Sequence, residues 1–384
     1  MSAPAVRHPG EYRWETRLLA VATLLLTAIG IASCYASGTY LAAWYHEATQ
    51  QAVAALIGGV LFLVVAKLDY HLWRRAALPL FLATVAGLIA LAMVGVVWRG
   101  RRASGALDGI FPYLNGAHRW VKIGIQFQVS ELARFTMAAW VAAFAAALGN
   151  RVRNFRDGFA PLMGIIGAVA VLVYLEPSLS MAIVLTVIGL AVIFTAGARV
   201  THLVAVAALA ATAVFLVLKF DAVRSKRERS FRTASIQCTN EQTCESLIGF
   251  GNGGVIGVGY GRGTQKLGPL PEAYSDFLLS VIGEEWGFLG VSFVALCYVV
   301  FCWMGFRIAR TAKDPFGTYL ASGLTVAVGV TAFMHAAVVT WLMPPTGLTL
   351  PFMSVGRVSL LLYLFSAGVI VSIGRRRGRP ARAA

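Results

Sequence analysis

Long apolar runs recur along this chain of 384 residues, and they constrain its fold more than any other feature. Many are about 17–25 residues long, which is the length that an α-helix needs to cross the hydrocarbon core of a bilayer. The runs are continuous, whereas the strands of a membrane β-barrel alternate apolar and polar residues. Since 58% of the residues are hydrophobic and only 13% are charged, the sequence predicts an all-α, polytopic membrane protein.

Hydrophobicity predicts about ten transmembrane helices. They lie near residues 17–37, 51–67, 76–98, 132–148, 160–175, 180–197, 202–219, 287–306, 318–342 and 358–373. The fifth and sixth are short and meet at Pro177, so a re-entrant hairpin is the alternative there. We therefore expect a polar tail over 1–16, one transmembrane domain over 17–373 and a basic tail over 374–384.

Lys and Arg residues in the short loops predict the orientation of the helices. If the N-terminus is cytoplasmic, the inner segments hold 18 basic residues, and the short outer connections hold only Arg357. Both termini are then cytoplasmic. The two long connections, 99–131 and 219–286, become extracytoplasmic loops, and the larger one joins helices 7 and 8.

Both long loops are rich in basic residues, and the chain as a whole has a formal charge of +16. These residues could contact the anionic headgroups of membrane lipids. The alternative is a cationic outer cleft that binds an anionic substrate, and the carboxylates among the cations favour it. Nucleic acid is excluded as a partner, because these loops lie on the outer face of a membrane protein.

Carboxylates concentrate in the stretch from Gln265 to Gly290, beside long apolar runs. Ionisable residues are costly near a bilayer, so such a cluster predicts a functional site. Asp276 lies about ten residues before the predicted eighth helix, with no His nearby in sequence. No Ser-His-Asp order is evident either, which disfavours nucleophilic hydrolysis. A single carboxylate suits general-base catalysis on a hydroxyl group.

A second candidate region precedes the fourth predicted helix and contains Arg119, Trp120 and Lys122. Glu131 and Arg134 follow, spaced to face the same side of a helix. They could be an ion pair that fixes the helix, or a charged wall of the substrate cleft. Trp120 could be an interfacial belt residue or could pack on a sugar face.

The five cysteines have no metal-ligand spacing, and no metal site is predicted. Cys238 and Cys244 bracket a polar stretch of the larger loop. They could form a disulfide on an oxidising face or remain free thiols.

Three stretches together resemble a known family: GAHRWVKIGIQFQVSELAR, PLPEAYSDFLLSVIGEEWGFLG and PPTGLTLPFMSVGRVSL. Their order and spacing are similar to those of the SEDS proteins of shape, elongation, division and sporulation, more so to the FtsW branch than to RodA. The resemblance implies a peptidoglycan glycosyltransferase of the bacterial cytoplasmic membrane that polymerises lipid II with inversion. It also implies a class B penicillin-binding protein and divisome proteins as partners, and it allows a divalent cation, Mg²⁺ or Mn²⁺.

The resemblance also assigns roles to residues. Asp276 matches the essential aspartate of the family, so it is implied as the catalytic base. Substrate binding is implied for Arg119, Trp120, Lys122, Glu131, Arg134, Lys266, Glu272 and Ser354. The chain departs from the family pattern at Tyr274, Ser178, His335 and Arg357. Two alternatives therefore stay open: a transporter of lipid-linked precursors, and a catalytically silent scaffold for a penicillin-binding protein.

Overall fold

The computed structural model describes residues 13–38, 44–98, 106–114, 117–220, 242–267, 270 and 272–376. Helices dominate these residues. The long ones are α1 (Arg13–Gly38), α2 (Trp44–Lys67), α3 (His71–Val97), α5 (Val129–Leu148), α6 (Ala160–Leu175), α7 (Leu179–Thr195), α8 (Val200–Phe220), α10 (Leu278–Arg310), α11 (Pro315–Val339) and α12 (Arg357–Arg375). Two short helices, α4 (Ala106–Ile110) and α9 (Gln242–Gly253), lie in the long loops.

Within the described residues, nine helical segments are long and apolar enough to cross a membrane, by length and composition. Helix α7 is also apolar but has only 17 residues. The prediction of an all-α, polytopic membrane protein is confirmed. Helices α5, α11 and α12 are the most enclosed of the long helices, and α2 packs along α12 while α1 packs against α10.

Helix α10 begins earlier than the sequence predicted and has a break inside it. It runs for 33 residues, and Gly287 within it adopts φ 67° and ψ −163°. Only glycine takes such a conformation readily. A Cβ on Gly287 would lie 2.4 Å from the backbone nitrogen of Gly257, so the glycine-rich stretch 249–263 packs closely there. The predicted span near 287–306 corresponds to the part of α10 that follows this break, and a buried helical segment, Leu278–Trp286, precedes it.

The smaller of the two long loops forms two antiparallel hairpins before α5. Strands β1 (Tyr113–Leu114) and β2 (Ala117–His118) form the first, and β3 (Trp120–Ile123) and β4 (Ile125–Gln128) form the second. Since β4 leads directly into α5 at Val129, Glu131 lies in the first turn of that helix. The loop therefore ends in the region that holds the Glu131–Arg134 pair.

The predicted break at Pro177 is present, since α6 and α7 are separate helices packed against each other. In the larger loop, Cys244 is disulfide-bonded, and Cys238 lies outside the described residues. The free cysteines of the described chain are Cys34, Cys297 and Cys302.

Candidate functional site

Asp276 lies in a tight turn immediately before α10. Its backbone N–H donates to the carbonyl oxygen of Glu272 over 3.0 Å, and Ser275 N–H donates to the same oxygen over 3.1 Å. The Ser275 hydroxyl also donates to Glu272 Oε2 over 3.0 Å. The turn therefore holds the carboxyl groups of Glu272 and Asp276 near each other at the start of a helix.

The segment between α11 and α12 supports this turn through Ser354. Its hydroxyl donates to the carbonyl of Ser275 over 2.6 Å and accepts from the backbone N–H of Leu350 over 2.9 Å. The N–H of Val355 donates to the carbonyl of Tyr274 over 3.1 Å. Ser354 was predicted to bind substrate, but its side chain is buried and its hydrogen bonds are made to the backbone. The structure thus favours a role in positioning Asp276.

A small cavity opens beside Asp276. It is lined by Gln242, Asp276, Phe277, His335, Val338, Pro345, Thr346, Gly347 and Leu348. A Cβ on Gly347 would lie 3.6 Å from Asp276 Oδ2, so the backbone of this segment packs against the carboxylate. The cavity thus brings together the larger loop, α11 and the segment that follows α11.

The surroundings of Asp276 change its acidity. Burial and the nearby Glu272 carboxylate raise the pKa of Asp276 to about 6, although the hydrogen bond with Ser275 acts in the opposite direction. Burial disfavours the ionised form, and a like charge does the same. Asp276 is therefore largely ionised at pH 7 but binds a proton more readily than an ordinary aspartate, which suits a general base.

The Glu131–Arg134 pair is buried between α5 and α12. Arg134 Nη2 lies 3.4 Å from Glu131 Oε1 and donates to the Ser359 hydroxyl over 3.2 Å. Arg134 also donates to the Tyr363 hydroxyl. Both side chains of the pair are at most about a tenth exposed. Their charges are thus compensated by each other and by two hydroxyl groups of α12.

This pair is connected to the Asp276 turn through the same segment that holds Ser354. The hydroxyl oxygens of Ser359 and Thr349 lie 3.3 Å apart. Residues 349 to 354 then lead to the Ser354–Ser275 hydrogen bond. Ser359 and Tyr363 were not predicted as site residues, although polar residues four apart on one face of an apolar helix are a signal for such a role.

Arg119 and Lys122 of the smaller loop lie in a different environment from Asp276. Burial raises the pKa of the Glu176 carboxyl group, in the turn between α6 and α7, to about 8, although the nearby Arg119 acts in the opposite direction. In β3, Trp120 pairs with Gln128, and Lys122 pairs with Gln126. Because side chains alternate along a strand, Trp120 and Lys122 share one face, and Lys122 is exposed.

Lys266 was predicted to bind substrate, but the structure places it in a buried ion pair. Its side chain is fully buried, and its ammonium group pairs with Glu285 and donates to the carbonyl of Ala36 over 2.8 Å. Glu284 accepts hydrogen bonds from Thr264 and Gln265. Glu284 and Glu285 therefore anchor the loop against α10, so these two members of the carboxylate cluster are structural.

We expect Lys266→Met to destabilise the protein, because it leaves the Glu285 carboxylate buried without its cation. Breaking a buried pair in this way costs about 3–5 kcal/mol. The exposed Lys122→Met is the matched control and should leave thermal unfolding in detergent unchanged. Adding Glu285→Gln to Lys266→Met should restore part of the loss. Equal unfolding temperatures for Lys266→Met and Lys122→Met would show that the pair is dispensable.

The family resemblance allows a divalent cation, but the described residues offer few ligands for one. Within the described part of the chain, no group of three or more His, Cys, Asp or Glu residues could hold a metal ion. Asp276 and Glu272 supply two neighbouring carboxyl groups, which fall short of such a cage. The described residues therefore do not fit a resident divalent cation.

Comparison with known proteins agrees with the resemblance. The profile of the family described as "Cell cycle protein", which covers FtsW, RodA and SpoVE, matches residues 15–378. A probable peptidoglycan glycosyltransferase FtsW of Geobacter sulfurreducens is 33% identical over 385 residues, covering 98% of each chain. Stage V sporulation protein E of Bacillus subtilis is 30% identical over 366 residues, covering 93% of this chain and 96% of that one.

Solved structures share the fold. A chain of a peptidoglycan synthase complex, described as coordinating polymerization and crosslinking, matches with a TM-score of 0.75 at 24% identity and covers 94% of this chain and 98% of that one. The rod shape determining protein RodA of Thermus thermophilus matches with a TM-score of 0.67 at 23% identity, covering 94% and 97%. With the profile match across almost the whole chain, these findings show that the protein belongs to the FtsW, RodA and SpoVE family of cell cycle proteins.

Proposed function

We propose that this protein is a peptidoglycan glycosyltransferase that polymerises lipid II into β-1,4 glycan strands during cell division or cell-shape maintenance. The observation that carries the proposal is the Asp276 site: a partly buried carboxylate with a pKa raised to about 6, held in a buttressed turn beside a cavity. Relatives named as probable peptidoglycan glycosyltransferases align with nearly the whole chain and support it.

The proposed reaction is a single displacement. Asp276 takes the proton from the 4-hydroxyl group of the acceptor's GlcNAc, and that oxygen attacks C1 of the donor's MurNAc. The bond from C1 to the diphosphate oxygen breaks, and undecaprenyl diphosphate leaves with the electron pair. One displacement inverts the anomeric centre, so an α-linked donor gives a β linkage. A diphosphate needs no protonation to leave, which is why one carboxylate suffices.

Residues of the Asp276 turn and of the smaller loop take supporting roles in this proposal. Lys122 is exposed and can meet the diphosphate charge, as can Arg119, and Trp120 on the same strand face as Lys122 can pack on a sugar ring. Glu272 raises the basicity of Asp276. The Glu131–Arg134 pair forms a charged wall of the substrate cleft, and it connects to the Asp276 turn through Ser359 and Thr349.

The proposal includes a location and partners. The protein would span the bacterial cytoplasmic membrane with both termini in the cytoplasm, place Asp276 on the outer face and act at the septum. A class B penicillin-binding protein and divisome proteins would be its partners. The shared fold with a chain of a peptidoglycan synthase complex supports a partner that crosslinks the new strands.

A reconstituted assay separates this function from the two alternatives. Purified protein, with and without a penicillin-binding protein, is placed in vesicles that carry fluorescent lipid II. A polymerase converts lipid II into glycan, a transporter moves it across the bilayer without joining it, and a scaffold does neither. Glycan formation that depends on the protein is the expected result. Translocation without polymerisation would contradict the proposal.

We expect Glu272→Gln to change the pH dependence of polymerisation. Removing the like charge lowers the pKa of Asp276, so the base form persists to lower pH, and the acid limb of kcat/KM moves from near pH 6 to lower pH. Because Glu272 is exposed, its effect should shrink at high salt. An acid limb that Glu272→Gln leaves in place at low salt would show that Glu272 does not act on Asp276.

A further inference from the structure

His335 is a buried histidine of α11 that the proposed reaction does not yet use. Only 1% of its surface is exposed, although it lies in an otherwise apolar part of the helix. It lines the cavity that Asp276 also lines. A buried polar side chain that faces a polar cavity needs a partner there, since leaving it unpaired is costly.

The hydrogen bonds of His335 define which ring nitrogen is protonated. Nδ1 lies 2.9 Å from the carbonyl oxygen of Leu348, which can only accept. The neutral ring therefore carries its proton on Nδ1, and Nε2 is an acceptor. Among the described residues, Nε2 has no hydrogen-bond partner although it is buried. The site thus contains an oriented acceptor that the fold itself does not use.

The same short segment contacts both side chains. The carbonyl of Leu348 accepts from His335. The adjacent Gly347 packs against Asp276, since a Cβ added to this glycine would lie 3.6 Å from Asp276 Oδ2. Residues 347 and 348 therefore hold the imidazole ring and the carboxyl group at one cavity. A single water molecule can bridge polar groups in such a place when a direct contact is too long.

We propose that His335 is a positioning residue for Asp276: its Nε2 accepts a hydrogen bond, directly or through one water, from the carboxyl group once that group has taken the acceptor's proton. This inference rests on the proposed glycosyl transfer. A hydrogen bond to the neutral carboxylic acid stabilises the protonated form. The carboxylate therefore binds a proton more readily and is a stronger base. It also fixes the orientation of the carboxyl group toward the incoming hydroxyl.

The hydrogen bond between His335 and Asp276 can be tested by the pH dependence of the reaction, because few charged groups surround the Asp276 carboxyl group. The titratable groups that face Asp276 within the described residues are Glu272 in its own turn and His335 on α11. The cavity lining from the other elements is uncharged: Gln242 of α9, and Pro345, Thr346, Gly347 and Leu348 after α11. A change in the acid limb can therefore be assigned to one of these two groups by substitution.

His335→Asn is the informative variant, because the asparagine amide can occupy the place of Nδ1 and still donate to Leu348 while Nε2 is lost. We expect kcat to fall about 3–10-fold, the factor that one hydrogen bond is worth. The acid limb of kcat/KM should move to lower pH. Unlike the effect of exposed Glu272, this shift should persist at high salt, because the group is buried. His202→Asn on α8 is the matched control, since His202 also has a buried ring nitrogen without a partner among the described residues, and it should change neither quantity.

Several outcomes decide the proposal. An unchanged acid limb in folded His335→Asn would overturn it, even if kcat falls, because a purely structural role lowers activity without moving the pKa of the base. If His335→Asn does not fold, His335→Gln, whose amide oxygen can reach the position of Nε2, should keep the wild-type acid limb, and a shifted limb would contradict the proposal. If wild-type protein makes no glycan, the proposed function fails instead.

Discussion

Asp276→Asn should reduce lipid II polymerisation by about 10²–10⁴-fold, the usual loss when general-base catalysis is removed. Asparagine keeps the size and can still occupy the turn, but it cannot take up a proton. The backbone hydrogen bonds that shape the turn come from the N–H groups of Ser275 and Asp276 and do not require the carboxyl group. We therefore expect normal insertion, an unchanged unfolding temperature and normal binding of the penicillin-binding protein.

The control for this prediction is Ser275→Ala, which removes a neighbouring hydroxyl and leaves the Asp276 carboxylate in place. Its effect on the rate should be small by comparison, since Ser275 only modulates the pKa of Asp276. Polymerisation by Asp276→Asn at the wild-type rate would show that another group is the base. Glu272, four residues earlier in the same turn, would then be the next candidate.

Arg134→Ala should cause the largest loss of stability among single substitutions at the site. It leaves Glu131 buried without its cation and removes the hydrogen bonds to Ser359 and Tyr363. Breaking a buried pair costs about 3–5 kcal/mol. We expect a lower unfolding temperature in detergent and reduced glycan synthesis, because the network that reaches the Asp276 turn starts at this pair.

An exposed ion pair provides the matched control. Arg376 Nη1 lies 2.8 Å from Asp69 Oδ2, and these side chains are 35% and 48% exposed. Exposed pairs contribute only about 0–1 kcal/mol, so Arg376→Ala should unfold close to the wild-type temperature. The double variant Glu131→Gln with Arg134→Met should recover part of the stability. If Arg134→Ala and Arg376→Ala behave alike, the buried pair contributes little to the fold.

The all-α membrane fold was predictable, because the length of an apolar run is set by the thickness of the bilayer. The helical segment at the start of α10, before Gly287, could not be predicted in this way. Leu278–Trp286 is a helical segment buried in protein, and hydrophobicity cannot distinguish it from a loop that carries Glu284 and Glu285. The conformation of Gly287 separates it from the rest of the helix. A single glycine in an apolar run gives no such signal in the sequence.

The candidate site was predictable in part. Asp276 and the Glu131–Arg134 pair came from motifs, and the structure places each in a supported, enclosed position. The prediction for Lys266 failed because a basic residue in a basic loop is expected to be exposed. Its partner Glu285 lies 19 residues later, so the sequence does not reveal that the two form a buried pair. His335 lies 59 positions from Asp276 in sequence, so only the fold brings these two side chains to one cavity.

The most direct test of the proposed function is the product formed from purified lipid II. Wild-type protein with its penicillin-binding protein partner is incubated with labelled lipid II, and the products are separated by length and analysed for linkage. We expect a ladder of β-1,4-linked glycan chains that Asp276→Asn, with the same partner, does not produce. A wild-type complex that leaves lipid II unpolymerised, or an equal ladder from Asp276→Asn, would contradict glycosyl transfer at Asp276.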